Sequence, residues 1–127
     1  MYVVLDTNVL VAAFWAENGT CARVLSMALN GQITLCYDYR IMEEYRLVLL
    51  RPKFGFSVEE VEDILSFIKI FGMSVIATPL AIDLPDNADK MFFEVGTQMD
   101  AALVTGNKKH YPAYKKIYSP AEFLDMY

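Results

Sequence analysis

Residues 2–14 read YVVLDTNVLVAAF. The apolar run Tyr2–Leu5 leads straight into Asp6, and a second apolar run follows at 9–14. A carboxylate between two hydrophobic segments is costly to bury unless something compensates it. "YVVL" is short, continuous and rich in β-branched residues, as a strand buried on both faces requires. Beyond Asp6, the pattern reads as a helix over 9–16, with Thr7 or Asn8 able to cap it. Strand, acid, helix is the start of an α/β chain, and the question it poses is what Asp6 is for.

The alternation continues along the chain. Thr20 can cap a helix at 21–30 that Gly31 ends. "ITLCY" at 33–37 is a second strand. Asp38 opens a helix at 39–50, stopped by Pro52. Ser57 and Glu60 form a capping box for a helix at 58–71 that ends at Gly72. "MSVIAT" at 73–78 is a third strand, and a loop rich in proline and aspartate follows at 79–89. A helix at 90–99 is weakened near its end by Gly96. "AALVT" at 101–105 is a fourth strand, 106–114 a loop or short helix, "KIYS" at 116–119 a weak fifth strand. Pro120 sits at the first position of a last helix, 120–127. Alternating strands and helices imply a parallel sheet covered on both faces, within a single domain spanning 1–127.

Composition agrees. A chain of 127 residues, 55% of them apolar, is long enough to bury about two-thirds of its unfolded surface. No apolar run approaches the ~20 residues of a membrane span, and Asp6 interrupts any signal-peptide pattern; a cytoplasmic, non-membrane protein is expected. Cys21 and Cys36 lie in apolar patterns and read as reduced core thiols, with no Cys/His cluster for zinc. The net charge of −5 argues against a general electrostatic grip on nucleic acid. It leaves room for cations bound by carboxylates at one site.

Ligands of open α/β sheets bind beyond the carboxyl ends of the strands. Asp6 follows strand one directly, and Asn107 follows strand four. Asp83, Asp86 and Asp89 fill the loop ahead of the helix that precedes strand four. Glu43 and Glu44 lie in the helix after strand two. If strands one and four are neighbours, these groups converge. Crowded carboxylates repel one another and tend to protonate, whereas Mg²⁺ or Mn²⁺, which favour oxygen ligands, relieve both problems. Asp6 therefore reads as a strand-end metal ligand, against the simpler reading of a helix cap. Likewise Glu43 and Glu44 alone would be a solvated helix face, and Asp83 and Asp86 turn formers.

"VLDTNVLVAAF", "MEEYRLVLLRPKF", "DLPDNADKMFFEVG", "ALVTGNKKHYP" and "YSPAEFL" together resemble the motifs of PIN-domain ribonucleases. They are most similar to the subgroup of VapC-type toxins of toxin–antitoxin pairs. The resemblance runs from Tyr2 to about Leu124. It implies a PIN-like three-layer α/β fold, a central parallel sheet of about five strands in the order 3-2-1-4-5 with helices on both faces. It also implies a Mg²⁺- or Mn²⁺-dependent endoribonuclease, an RNA substrate, an antitoxin protein partner and a homodimer, for which apolar residues in "EFLDMY" leave room.

Residue by residue, the resemblance implies Asp6 as the first acid, Glu44 (rather than Glu43) as the second and Asp89 as the third. Asp6, Glu44, Asp86 and Asp89 form the implied metal set, Asp86 through water or a second ion. The fourth acid of the pattern is replaced by Asn107, whose carbonyl carries no charge. Asp6, Glu44, Asp89 and Asn107 are thus the implied catalytic group. Thr7, Asn8 and Thr105 are placed to orient the carboxylates and water. Lys108, Lys109 and His110, the only dense basic cluster, can meet RNA phosphates. The reaction implied is phosphodiester hydrolysis by an activated water, leaving a 5′-phosphate and a 3′-hydroxyl. Two alternatives stand beside it. An aspartyl-phosphate enzyme would need a second Asp where Asn8 stands. A catalytically degenerate PIN domain that binds RNA or protein is favoured only by Asn107.

Overall fold

β1 (Tyr2–Leu5) is the middle strand of a five-stranded parallel sheet in the computed structural model, which describes residues 1–114 and 116–126. β2 (Thr34–Tyr37) and β3 (Met73–Ser74) lie on one side of it, β4 (Ala102–Val104) and β5 (Ile117–Tyr118) on the other, in the order β3-β2-β1-β4-β5. Every pairing is parallel. The order and the α/β architecture are those expected from the sequence. Val3, Val4 and Leu5 are all but fully buried, as a central strand covered on both faces must be.

Among the described residues six α-helices surround the sheet: α1 (Thr7–Trp15), α2 (Thr20–Leu29), α3 (Tyr39–Leu49), α4 (Val58–Phe71), α5 (Lys90–Met99) and α6 (Pro120–Asp125). α1 packs on α2 and α3, α3 also on α4, and α2 on α6, while α5 lies against β1, β2 and β4. The core is one cluster that includes Leu10, Ile41, Tyr45, Leu65, Phe92 and Phe123. Gly72 allows α4 to end against β2, since a Cβ there would sit 2.4 Å from the Ile68 carbonyl and 2.7 Å from that of Leu35.

Several local expectations need correction. α1 starts at Thr7, two residues earlier than the apolar run suggested, with Asp6 in the cap position. α2 is preceded by Gly19, and Thr20 is its first residue. The Ser57 hydroxyl accepts from the Glu60 amide, half of the expected box; a complete capping box instead forms between Ser119 and Glu122. The third strand is only Met73–Ser74, because beyond Val75, whose amide still reaches the Tyr37 carbonyl, the chain leaves the sheet. Ile76 is 97% exposed. Cys36 is a core residue as expected, but Cys21 is only partly buried. Phe123, counted with the surface of "EFLDMY", is fully buried, and Met126 is exposed. Tyr127, the last residue of that helix as read from sequence, lies outside the described residues.

Among the described residues no helix is long and apolar enough to cross a membrane.

Candidate active site

The register of β1 against β4 builds the floor of the site. Leu5 pairs with Val104, and the Asp6 amide donates to the Val104 carbonyl at 2.9 Å. Asp6 and Thr105 therefore leave the sheet side by side. This is also where the strand order reverses, with β2 and β3 to one side and β4 and β5 to the other, the position at which open α/β sheets hold ligands.

Asp6 is 4% exposed, and two hydroxyls compensate its burial. Thr105 Oγ1 donates to Asp6 Oδ2 at 2.7 Å, and the Tyr111 hydroxyl donates to the same oxygen at 2.9 Å. The side chain makes no capping bond to α1, so the helix-cap reading does not describe it. Burial, and then the charges of Asp6 and Asp89, push the Tyr111 phenol far above its ordinary range, which keeps it a donor. Thr105 Oγ1 also accepts from the Asn107 amide at 3.0 Å, tying the loop after β4 to Asp6 through one hydroxyl.

Helix phase separates the two glutamates. Residues adjacent on a helix point about 100° apart. Glu44 turns toward α1, where Thr7 Oγ1 donates to its Oε2 at 3.2 Å. Glu43 instead lines a separate depression with Tyr37, Tyr39 and Met42.

The third acid arrives on the loop at 75–86. That loop is anchored by the buried Glu94, which accepts from the Leu80 amide at 2.7 Å and from Arg40 at 2.9 Å. Asp86 accepts from the Ala88 amide at 3.0 Å and so caps the 3₁₀ turn Asn87–Asp89. Asp89 at its end meets His110 Nδ1 at 3.0 Å. Burial and the nearby Asp6 raise the Asp89 carboxyl above its ordinary range, opposed by the His110 bond.

A cleft of about 730 Å³ gathers Asp6, Thr7, Asn8, Glu44, Asp86, Asp89, Asn107 and His110 in its lining. Thr105 lies beneath it, fully buried. Asn8 Oδ1 accepts from the Gly106 amide at 3.0 Å. Asp83 does not line the cleft. Lys108 is committed elsewhere, with its Nζ 3.0 Å from Glu122 Oε1, while Lys109 is exposed. Residues not read from sequence complete the site: Tyr111 beneath Asp6, and Trp15, Arg51 and Phe54 in the cleft wall.

The donor set suits a hard, oxygen-preferring divalent cation. The carboxylates of Asp6, Glu44 and Asp89 share one cleft, and no Lys or Arg forms an ion pair with any of them among the described residues. Their side chains stand apart as folded, and among the described residues no three acidic, His or Cys groups close around a single point. Mg²⁺ keeps several of its waters and is commonly held by only one or two carboxylates, so that spacing is compatible with it.

A family model for the PIN domain matches residues 2–109, and the chain belongs to this family, whose members are in general nucleases. An uncharacterized protein of Methanocaldococcus jannaschii is 26% identical over 140 residues, which cover 98% of this chain and 90% of the relative. No solved structure matches the chain significantly.

Proposed function

We propose that this chain is a Mg²⁺- or Mn²⁺-dependent endoribonuclease and acts as the toxin of a toxin–antitoxin pair. The observation that carries the nuclease reading is the convergence of Asp6, Glu44 and Asp89, from three separate parts of the chain, on one cleft at the reversal of strand order. The toxin assignment rests on the motif resemblance alone, and an antitoxin and a second copy of the chain are the protein partners that belong to it. The reading places the protein in the cytoplasm, as one domain over 1–127.

In this reading Asp6, Glu44 and Asp89 hold the cation, with Asp86 nearby. When bound, the cation supplies a Lewis acid and lowers the pKa of water beside a phosphodiester. The protein's own groups prepare that position. Thr105 and Tyr111 fix the Asp6 carboxylate from below, so that it need not reorganise. Thr7 fixes Glu44 in the same way. His110 holds Asp89, and its exposed ring edge, with Lys109, is available to a phosphate of the RNA. No side chain is required as a nucleophile.

The test is cleavage of single-stranded RNA by the purified chain with EDTA, Mg²⁺ or Mn²⁺, with end analysis of the products. Cation-dependent cleavage leaving 5′-phosphate ends supports the reading, and its absence on varied RNAs overturns it. Asn107, standing where a fourth acid is expected, favours one second reading, a degenerate PIN domain that only binds. Calorimetry separates the two, because a degenerate site gives no specific Mn²⁺ heat.

A further inference from the structure

The acidic groups account for only part of the cleft. Thr7, Asn8, Val11, Ala12 and Trp15 line it from α1, positions that recur on one helical face. Glu44, Val48 and Arg51 line it in the same way from α3 and its end. The cleft thus runs along two helices. Thr7, beside the acids, and Trp15, at the far end of α1, are about 12 Å apart along the helix axis.

That far end has a different chemistry. Trp15 is 66% exposed, yet its ring is held. It meets Phe54 at 6.2 Å and Phe56 at 5.8 Å, both near-perpendicular. Phe54 and Phe56 are themselves stacked at 5.3 Å with an 8° interplanar angle, and Phe14 supports Phe56 from behind at 5.4 Å. The turn that pairs the two phenylalanines depends on Gly55, whose φ of 64° few side chains tolerate. Two cations border this cluster. Arg51 lines the cleft, and Lys53 Nζ lies 5.2 Å over the Phe54 ring. Among the described residues neither has a carboxylate partner.

A fixed, exposed indole flanked by unpaired cations is the combination that binds unpaired bases, with the ring stacking and the cations meeting the backbone. Its continuity with the acidic groups selects the occupant: a strand whose phosphate lies among the acids has further nucleotides to place along the same cleft. We infer that Trp15, supported by Phe54 and Phe56 and flanked by Arg51 and Lys53, is a stacking platform for a base of single-stranded RNA near the phosphate to be cleaved. The inference rests on the ribonuclease reading for its substrate class, and it makes the enzyme selective for unpaired RNA, since a base held in a duplex cannot reach the indole.

Trp15 is the sole tryptophan, so emission excited at the red edge, where tyrosine does not absorb, reports on it alone. The probe is a short single-stranded oligoribonucleotide, titrated once with EDTA and once with Ca²⁺. Saturable quenching under either condition is expected, lost when the strand is replaced by an abasic one or by a duplex. Trp15→Ala, read by anisotropy, is expected to weaken binding about 5- to 100-fold, and Phe54→Ala, which removes the support of the ring, to weaken it less. Arg51→Ala is expected to lower the slope of log K against log salt by about 0.7. A strand that binds by anisotropy but leaves the emission unchanged in both conditions overturns the platform, as does equal quenching by the abasic strand. Emission that responds to protein concentration and not to RNA also overturns it, in favour of an interface between copies. Cleavage without quenching leaves the hydrolase reading intact and removes the platform; quenching without cleavage of any RNA does the reverse.

Discussion

Thr105 and Asp6, 99 residues apart in sequence, are joined by a 2.7 Å hydrogen bond across the ends of two neighbouring parallel strands. The same hydroxyl accepts from the Asn107 amide, so it cannot be removed without disturbing both the acid and the loop. Thr105→Val keeps the shape and deletes the hydroxyl. Leaving buried polar groups short of a partner typically costs about 1–3 kcal/mol. The expected outcome is a lower urea midpoint together with slower cleavage, and Thr105→Ser is expected to restore cleavage more than stability. A valine variant that cleaves RNA at the normal rate would show that Asp6 needs no orientation from below.

Asp6→Asn addresses the acid itself. The substituted amide keeps a carbonyl oxygen that can accept from Thr105 and Tyr111, so the fold is expected to survive. Charge near Asp89 falls, which relieves repulsion among carboxylates without a cation. Cation-dependent cleavage is expected to vanish while the thermal melt without metal stays the same or rises. Retained cleavage would remove Asp6 from the cation site.

Parts of this site are legible in the sequence because the signal is local. "YVVLD" gives a buried strand and the acid at its end from five consecutive residues. Other parts depend on the fold. The donors to Asp6 are Thr105 and Tyr111, and only the β1–β4 register and the turn after β4 show that they reach it. Glu44 is preferred to Glu43 in the sequence only through the motif resemblance; the physical reason the two differ is the phase of α3, which turns Glu44 toward Thr7 and Glu43 away from the cleft. "MSVIAT" has the composition of a longer strand than forms; β3 is an edge strand paired on one side only, and nothing holds Ile76 to the sheet. The aromatic end of the cleft escapes because Trp15 and Phe54 are brought together by a turn whose geometry rests on Gly55.

The two cysteines are expected to differ in reactivity. Burial pushes the Cys36 thiol up to about 11 from an ordinary 9.0, and the residue is 1% exposed. Cys21 is raised as well but partly accessible. A thiol reagent at neutral pH should label Cys21 first and Cys36 only as the chain unfolds. The raised folded value also sets a sign. Between about pH 9 and about pH 11 the unfolded chain has released the Cys36 proton and the folded one has not, so this group's contribution to stability is full below about pH 9 and declines as pH rises. Cys36→Ala should flatten that part of a stability–pH curve, and simultaneous labelling of both thiols in the native state would contradict the buried position.

Lys108 and Lys109, adjacent in sequence, are expected to behave differently toward RNA. Lys108 is paired with Glu122, whose carboxyl is held below its ordinary range by the Ser119 amide and by Lys108 itself. Lys109 has no carboxylate partner among the described residues. Lys109→Ala should reduce the salt slope of RNA binding by about 0.7, the value of one phosphate contact on a single strand. Lys108→Ala alone should change it less, and Glu122→Gln, which releases Lys108, should tighten binding. Salt titrations of the three variants check this; equal slopes throughout would assign both lysines to solvent.

Asn107 tests the departure from the four-acid pattern. Its amide is tied to Thr105 and its side chain makes no capping bond to the turn Lys108–His110, while the residue lines the cleft with Asp6, Asp86 and Asp89. Asn107→Asp adds a hard anionic oxygen to that lining, which should tighten binding of a divalent cation. The concentration of Mn²⁺ giving half-maximal cleavage is expected to fall. Without metal the same change adds a fifth carboxylate to a cleft where Asp89 already resists ionisation, so the melting temperature in EDTA is expected to drop and the rise on adding Mn²⁺ to grow. Asn107→Ala removes a neutral group and is expected to cost less activity than Asp6→Asn or Asp89→Asn. The measurements are a Mn²⁺ dependence of cleavage and paired melts with and without the ion. If Asn107→Asp shifts neither, the side chain at 107 takes no part in holding the cation, and the cation belongs nearer to Asp6, Glu44 and Asp89 than to the loop after β4.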